Sequence, residues 1–178
     1  MPAPGPIHVL LAEDHVRLES LLDRATAGSG ELGAAPFEEF RSGILRHIAM
    51  EEKVLLPAAR RANGGTPLPM ARRLRVDHGA IAMLLVPTPS REIVGELRSI
   101  LAGHNVIEEG PDGLYEMCDR LLADEVEAVI ERLRRYPPVK LAPHFDGPGV
   151  CRTAEDALRL SRLQGSRAPS DSGDGSSG

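Results

Sequence analysis

The sequence predicts an all-α protein, an up-down-up-down four-helix bundle followed by short C-terminal helices and a disordered tail. Three observations predict it. Four segments carry apolar residues at spacings of three and four, the period of one helix face. Clusters of Gly and Pro separate these segments. A His falls on the apolar stripe of each of the four. A chain of 178 residues suits one such domain with a tail and can bury the core a bundle needs.

The first helix is expected over residues 6–27. Pro6 can open it, Leu11, His15, Leu18 and Leu22 form its stripe, and Gly28-Ser29-Gly30 ends it. The second runs from Pro36 to Arg61, with Phe37, Phe40, Ile44, His47, Glu51 and Leu55 in line, and stops at Asn63-Gly64-Gly65. The third spans Pro69 to Val86, its stripe being Leu74, His78, Ile81 and Leu85, and Pro87 and Pro89 close it. Ser90 is a suitable N-cap for the fourth, whose stripe is Ile93, Leu97, Ile100, His104 and Ile107/Glu108. Gly110-Pro111-Asp112-Gly113 must then break the helix. Helix is expected again from about Asp112 to Leu122 and from Asp124 to Arg135. The bundle thus occupies residues 6–136. Residues 137–164 read as a Pro-rich extended wrap and a short helix capped by Thr153, with Ala157, Leu160 and Leu163 inward. Residues 165–178, rich in Gly, Ser and Asp, read as a disordered tail.

Composition excludes several functions. Hydrophobic residues are 42% of the chain and aromatics 3%, with no Trp. The core is therefore expected to be aliphatic, and stacking platforms for single-stranded nucleic acid are not expected. The net charge is -5 and no basic cluster offers a duplex-binding surface. The two cysteines, Cys118 and Cys151, form no Cys-x-x-Cys pair, so a thiolate zinc or redox motif is not expected and a reduced, cytoplasmic protein is. The N-terminus has no basic region before an apolar run, so no signal peptide is expected. No stretch approaches the ~20 apolar residues of a membrane span.

The chemistry lies in a repeat. His47-Ile48-Ala49-Met50-Glu51-Glu52 and His104-Asn105-Val106-Ile107-Glu108-Glu109 are both His-x-x-x-Glu-Glu. Residues four apart share a helix face, so each run presents an imidazole beside a carboxylate. Asp14-His15 and Asp77-His78 add one inward His from each of the other two helices. The repeat suggests two helical hairpins related by pseudo-symmetry. Burying these groups without partners costs on the order of several kcal/mol for each ionised carboxylate, and a bound cation offsets that cost. The expected metal ligands are His15, His47, Glu51, His78, His104 and Glu108. Mixed imidazole and carboxylate donors suit iron or manganese better than zinc, and Glu residues from two helices favour a dinuclear site.

Other polar residues near the stripes read more plainly. Glu52 and Glu109 lie one step round the helix and are expected to be solvated or to support a ligand. Asp14 and Asp77 are expected at the surface, with an imidazole N–H as the alternative partner. His8 shares the first stripe as a further candidate ligand. His144 reads as structural or exposed, Tyr115 as core packing and Cys118 as an apolar filler.

The order and spacing of these ligands across residues 8–122 resemble the hemerythrin-like, His-His-Glu cation-binding domain family. The run from His47 to Pro57, with Glu51-Glu52 and Leu55-Leu56-Pro57, carries much of the likeness, as does His104 to Tyr115. The resemblance implies a bundle holding two non-haem iron ions, solvent- or oxo-bridged. It makes the four His terminal ligands and Glu51 and Glu108 bridging ones. Oxygen-carrying members have a further His one turn after the third-helix His, where this chain has Ala82, and an Asp five residues after the fourth-helix His, where it has Glu109. Open coordination positions then favour reactivity or sensing over oxygen carriage. The implied function is binding of dioxygen, or sensing of oxygen, iron, peroxide or nitric oxide. The alternatives are a di-iron enzyme that consumes peroxide or reduces oxygen, and an iron store or structural metal bundle.

Overall fold

The computed structural model describes residues 3–166. Among them there is no strand, and eight α-helices follow in the order α1 (Pro6–Thr26), α2 (Ala34–Met50), α3 (Leu56–Ala62), α4 (Ala71–Leu84), α5 (Arg91–Glu109), α6 (Leu114–Leu121), α7 (Val126–Arg134) and α8 (Ala154–Gly165). The all-α expectation holds. Three of the expected caps and breaks hold with it. Pro6 opens α1, Ser90 Oγ accepts the Ile93 N–H at 3.3 Å at the start of α5, and Thr153 Oγ1 accepts the Asp156 N–H at 3.3 Å at the start of α8.

The second helix is not the single rod expected from Pro36 to Arg61. A π-helical turn, Glu51–Leu55, separates α2 from α3, and the Leu56 N–H reaches back five residues to the Glu51 carbonyl. Pro57 is the physical cause. It has no N–H, and in a regular helix its ring would press on the carbonyl four residues earlier. A widened turn just before the proline relieves that clash, and here it falls on a proposed ligand.

The long helices cross a polar layer between two apolar clusters. Leu18, Leu22, Phe37, Phe40, Ile44, Ile81, Leu84, Leu97 and Ile100 belong to the first cluster. Ile7, Leu11, Leu55, Leu74, Leu114 and Val129 belong to the second. α1 passes from the second cluster at Leu11, through His15, to the first at Leu18. α2 passes from Ile44, through His47 and Glu51, to Leu55. α4 passes from Leu74 through His78 to Ile81, and α5 from Ile100 through His104 and Glu108 towards Leu114. Helices α1 and α4 therefore cross the layer in one sense and α2 and α5 in the other. α1 packs along α2 and also meets α5 and α6, and α4 packs along α5. The inward stripes read from the sequence are buried on all four.

The segment after α7 is without helix until α8. It is tied down by the Phe145 N–H to the Val86 carbonyl at 2.9 Å, by Arg41 Nη2 to the Ala142 carbonyl at 2.8 Å and by Thr88 to Asp146. α8 lies along α4. It turns Ala157 and Ser161 inward and leaves Leu163 exposed, against the expected Ala157-Leu160-Leu163 stripe. Ser161 Oγ donates to the Val76 carbonyl at 2.7 Å beside Gly79. Small residues on both helices permit this close approach, and bulkier leucines would hold α8 further out. The expected tail began at residue 165, but Gly165 closes α8, and residues 167–178 lie outside the described residues.

Candidate metal centre

All six expected ligands are buried and meet in the polar layer. Two groups of them could each hold a metal ion: Glu51, His78, His104 and Glu108, and His15, His47 and Glu108. Within the first, His78 Nε2 lies 3.1 Å from Glu51 Oε2 and His104 Nε2 lies 3.1 Å from Glu108 Oε1. Within the second, the Nε2 atoms of His15 and His47 are 2.9 Å apart, and Glu108 Oε2 is 3.4 Å from His15 Nε2. The i to i+4 spacing of each His-x-x-x-Glu run, with helices of alternating sense, is what brings these atoms together.

The donors fit a cation. Glu51 Oε2, His78 Nε2 and Glu108 Oε1 are fully enclosed and none makes a hydrogen bond of good geometry, although His78 Nε2 and Glu51 Oε2 stand 3.1 Å apart. Buried polar atoms without partners are uncommon, because each forfeits its hydration for nothing. Three in one group, all converging, are what a cation satisfies.

Three of the four imidazoles are gripped from behind by a carboxylate at hydrogen-bond distance. His47 Nδ1 lies 2.9 Å from Asp14 Oδ2, His78 Nδ1 2.8 Å from Glu52 Oε1 and His15 Nδ1 2.5 Å from Glu109 Oε1. Asp77 faces His104 Nδ1 across 3.7 Å, beyond hydrogen-bond distance. A proton fixed on Nδ1 leaves the Nε2 lone pair pointing into the layer, the tautomer that binds metal. These partners correct the sequence reading. Asp77 is 0% exposed rather than at the surface, and Arg73 Nε donates to its other side at 2.9 Å. Asp14 is half-buried against His47. Glu52 and Glu109 hold imidazoles, the second of the two roles expected for them. The signal was present in the sequence as paired Asp-His and Glu-Glu dipeptides. Periodicity alone, however, places a neighbour of an inward residue about 100° round the helix and does not reveal the side chains that lean across to the next helix.

The pattern obeys the repeat. The Asp before each lone His serves the His of the following His-x-x-x-Glu-Glu run, as Asp14 to His47 and Asp77 to His104. The second Glu of each run serves the lone His of the other half, as Glu52 to His78 and Glu109 to His15.

Without a cation the cluster neutralises itself. Burial works to lower the pKa of His47, but the charges and hydrogen bonds of Glu51 and Asp14, with the charge of Glu108, outweigh it and raise it to about 10. His104 rises to about 9 in the same way, through Asp77 and Glu108, and His78 rises through Glu108, Glu51 and Glu52. Burial opposes ionisation of Glu51, yet the facing imidazoles His47 and His78 hold its carboxyl well below the usual range. Burial and the Glu51 charge push Glu108 up, while His104 and His78 bring it below normal.

Tyr115 belongs to this centre, which sequence reasoning missed. Its ring is fully buried and its hydroxyl donates to Glu51 Oε1 at 2.7 Å. Burial and the charges of Glu108 and Glu51 push its pKa well above the usual tyrosine value. The Gly-Pro break made its direction unreadable from periodicity. His8 joins neither donor group and sets its ring edge-on to Tyr115. His144 Nε2 pairs with Glu38, and Cys118 is a buried filler whose thiol burial pushes up. Among the described residues no helix is long and apolar enough to cross a membrane. No family model, curated protein or solved structure matches the chain.

Proposed function

We propose that the chain is a non-haem di-iron protein of the hemerythrin-like kind. On this reading α1, α2, α4 and α5 form its four-helix bundle, and two irons lie between them, one at each donor group. Its function is to bind dioxygen, or to sense oxygen, peroxide or nitric oxide. The observation that carries the reading is the convergence of Glu51 Oε2, His78 Nε2 and Glu108 Oε1, all buried and none in a hydrogen bond of good geometry, on a carboxylate, Glu108, common to both groups. The alternating sense of the four helices across the layer supports the bundle.

An iron pair held there supplies redox-active positions open to a small ligand. The chain does the rest. Asp14, Glu52, Asp77 and Glu109 stand behind the four imidazoles and aim their Nε2 atoms inward. Glu51 and Glu108 each turn one oxygen towards either group. The apolar clusters on both sides of the layer exclude bulk water. Imidazole and carboxylate donors without a thiolate favour iron or manganese over zinc.

The test is the visible spectrum of iron-loaded protein under air, followed by peroxide addition with oxygen evolution monitored. A reversible band that responds to oxygen is the expected result. Rapid gas release would make the protein a peroxide-consuming enzyme, and failure to take up iron would overturn the reading.

A further inference from the structure

Tyr115 reaches the polar layer because the chain is folded back on itself just before it. α5 ends at Glu109 and α6 begins at Leu114. Between them Asp112 adopts a positive φ of 55°. A Cβ on Gly113 would sit 2.7 Å from the Glu108 carbonyl oxygen and 2.8 Å from that of Ile107, so only glycine fits this close turn. The turn redirects α6 and points the Tyr115 hydroxyl at the donor group of α1 and α2.

There the hydroxyl has four polar neighbours. It lies 2.7 Å from Glu51 Oε1, 3.1 Å from Glu108 Oε2, 3.2 Å from His15 Nε2 and 3.3 Å from His47 Nε2. A phenol has one proton to donate, and two of these neighbours are carboxylate oxygens that only accept. The two carboxylates can only share that one proton, so at most one of them receives a full hydrogen bond. The neighbours are also close to one another: His15 Nε2 to His47 Nε2 is 2.9 Å, His47 Nε2 to Glu51 Oε1 is 3.4 Å and His15 Nε2 to Glu108 Oε2 is 3.4 Å. Donors about 2.1 Å from one small cation and at right angles to each other are separated by about 3.0 Å. The observed separations scatter about that value. His15, His47, Glu51 and Glu108 thus each bring a donor atom within 3.3 Å of the phenol oxygen.

We propose that Tyr115 is a seventh protein ligand, which binds one of the two irons through its phenolate oxygen and makes the two metal positions chemically unlike. The inference rests on the di-iron reading above. Ligation forms one iron–oxygen bond and releases the phenol proton to solvent, with no change of oxidation state. The other group, Glu51 Oε2, His78 Nε2, His104 Nε2 and Glu108 Oε1, has no phenol. Tyr136 stands at the edge of the second apolar cluster and Arg46 donates to its carbonyl. The position with four donors is then the one with more room for an external ligand.

The test uses ferric-loaded wild-type protein and the variants Tyr115→Phe and Tyr136→Phe. Iron content, visible absorption and resonance Raman spectra are recorded for each. The expected result is a phenolate-to-iron charge-transfer band with tyrosinate ring vibrations in the wild type and in Tyr136→Phe. In Tyr115→Phe both signals disappear while iron remains bound. Iron-loaded wild type without tyrosinate vibrations overturns the ligand assignment and leaves the di-iron reading standing. A band that persists in Tyr115→Phe also overturns it. A wild-type chain that binds no iron overturns both. The wild-type Raman spectrum decides the matter alone if Tyr115→Phe does not fold.

Discussion

Glu52 Oε1 lies 2.8 Å from His78 Nδ1, on the side of the ring opposite to the nitrogen that faces Glu51 at 3.1 Å. Adjacent glutamates on one helical segment thus hold both nitrogens of an imidazole on another. Glu109 and Glu108 do the same to His15, at 2.5 Å and 3.4 Å. The residue next to a candidate ligand in sequence thus backs a candidate ligand from the other half of the molecule.

From this relationship Glu52→Ala is expected to weaken iron binding by about 10- to 100-fold, the usual cost of losing a carboxylate that orients a ligating imidazole. Glu51→Ala is expected to cost more, because Glu51 turns an oxygen to each donor group. Titration against a chelator of known affinity ranks the two. Equal affinity for wild type and Glu52→Ala would remove the supporting role assigned to Glu52.

Metal uptake is expected to release protons and to weaken as pH falls. With His47 at about 10 and His104 at about 9 in the metal-free chain, both imidazoles are protonated at neutral pH and must lose a proton to bind metal. Iron binding in a weakly buffered solution containing a pH indicator measures the release. Uptake without acidification would show that the imidazoles are already neutral.

These two groups are expected to make the metal-free protein most stable between about pH 4 and 6.5. The folded-state pKa of His47 lies above its unfolded value of 6.5, so its contribution is full below about 6.5 and is lost as pH rises through about 10. The Asp14 carboxyl is lowered to about 2, because its hydrogen bonds and charge contacts with His47 and Arg17 outweigh its burial. Its contribution is full above about 4 and is lost as pH falls through about 2. Melting temperatures of the apo-protein across this range provide the check, and a flat profile would rule out the internal ion pairing.

Asp119→Ala is expected to cost about 1–2 kcal/mol of stability, as for other lost helix caps, with iron content unchanged. Its carboxylate accepts the Ile7 N–H at 2.9 Å and the His8 N–H at 3.1 Å, so a side chain on α6 satisfies the positive end of α1. Chemical denaturation and metal analysis measure the two effects separately.

Much of the architecture was legible in the sequence because it depends on periodicity and punctuation. The stripe from Leu11 to Leu22 and the caps at Ser90 and Thr153 are local facts, and local facts survive folding. The meeting of His15, His47, Glu51, His78, His104 and Glu108 was legible too, because each sits on a core stripe. What escaped was mostly non-local, the π turn being the exception. The π turn at Glu51–Leu55 follows from a proline six residues past Glu51. Asp77 reads as polar and therefore outward until Arg73 and His104 are seen on either side of it. Tyr115 lies beyond a glycine-rich turn whose geometry no helical period describes. α8 chose the Ala157-Ser161 face because Gly79 on α4 admits a close approach, a choice made by the partner helix.

On the di-iron reading the polar layer is a two-metal site. Anaerobic titration of the apo-protein with Fe(II), followed by metal analysis and by melting temperature, tests it most directly. Because a metal that binds only the native state stabilises it, the account predicts uptake ending near two irons per chain, one for each donor group, and a melting temperature that rises with added iron. A fully folded apo-protein that takes up no iron and melts at the same temperature with or without it would contradict the account.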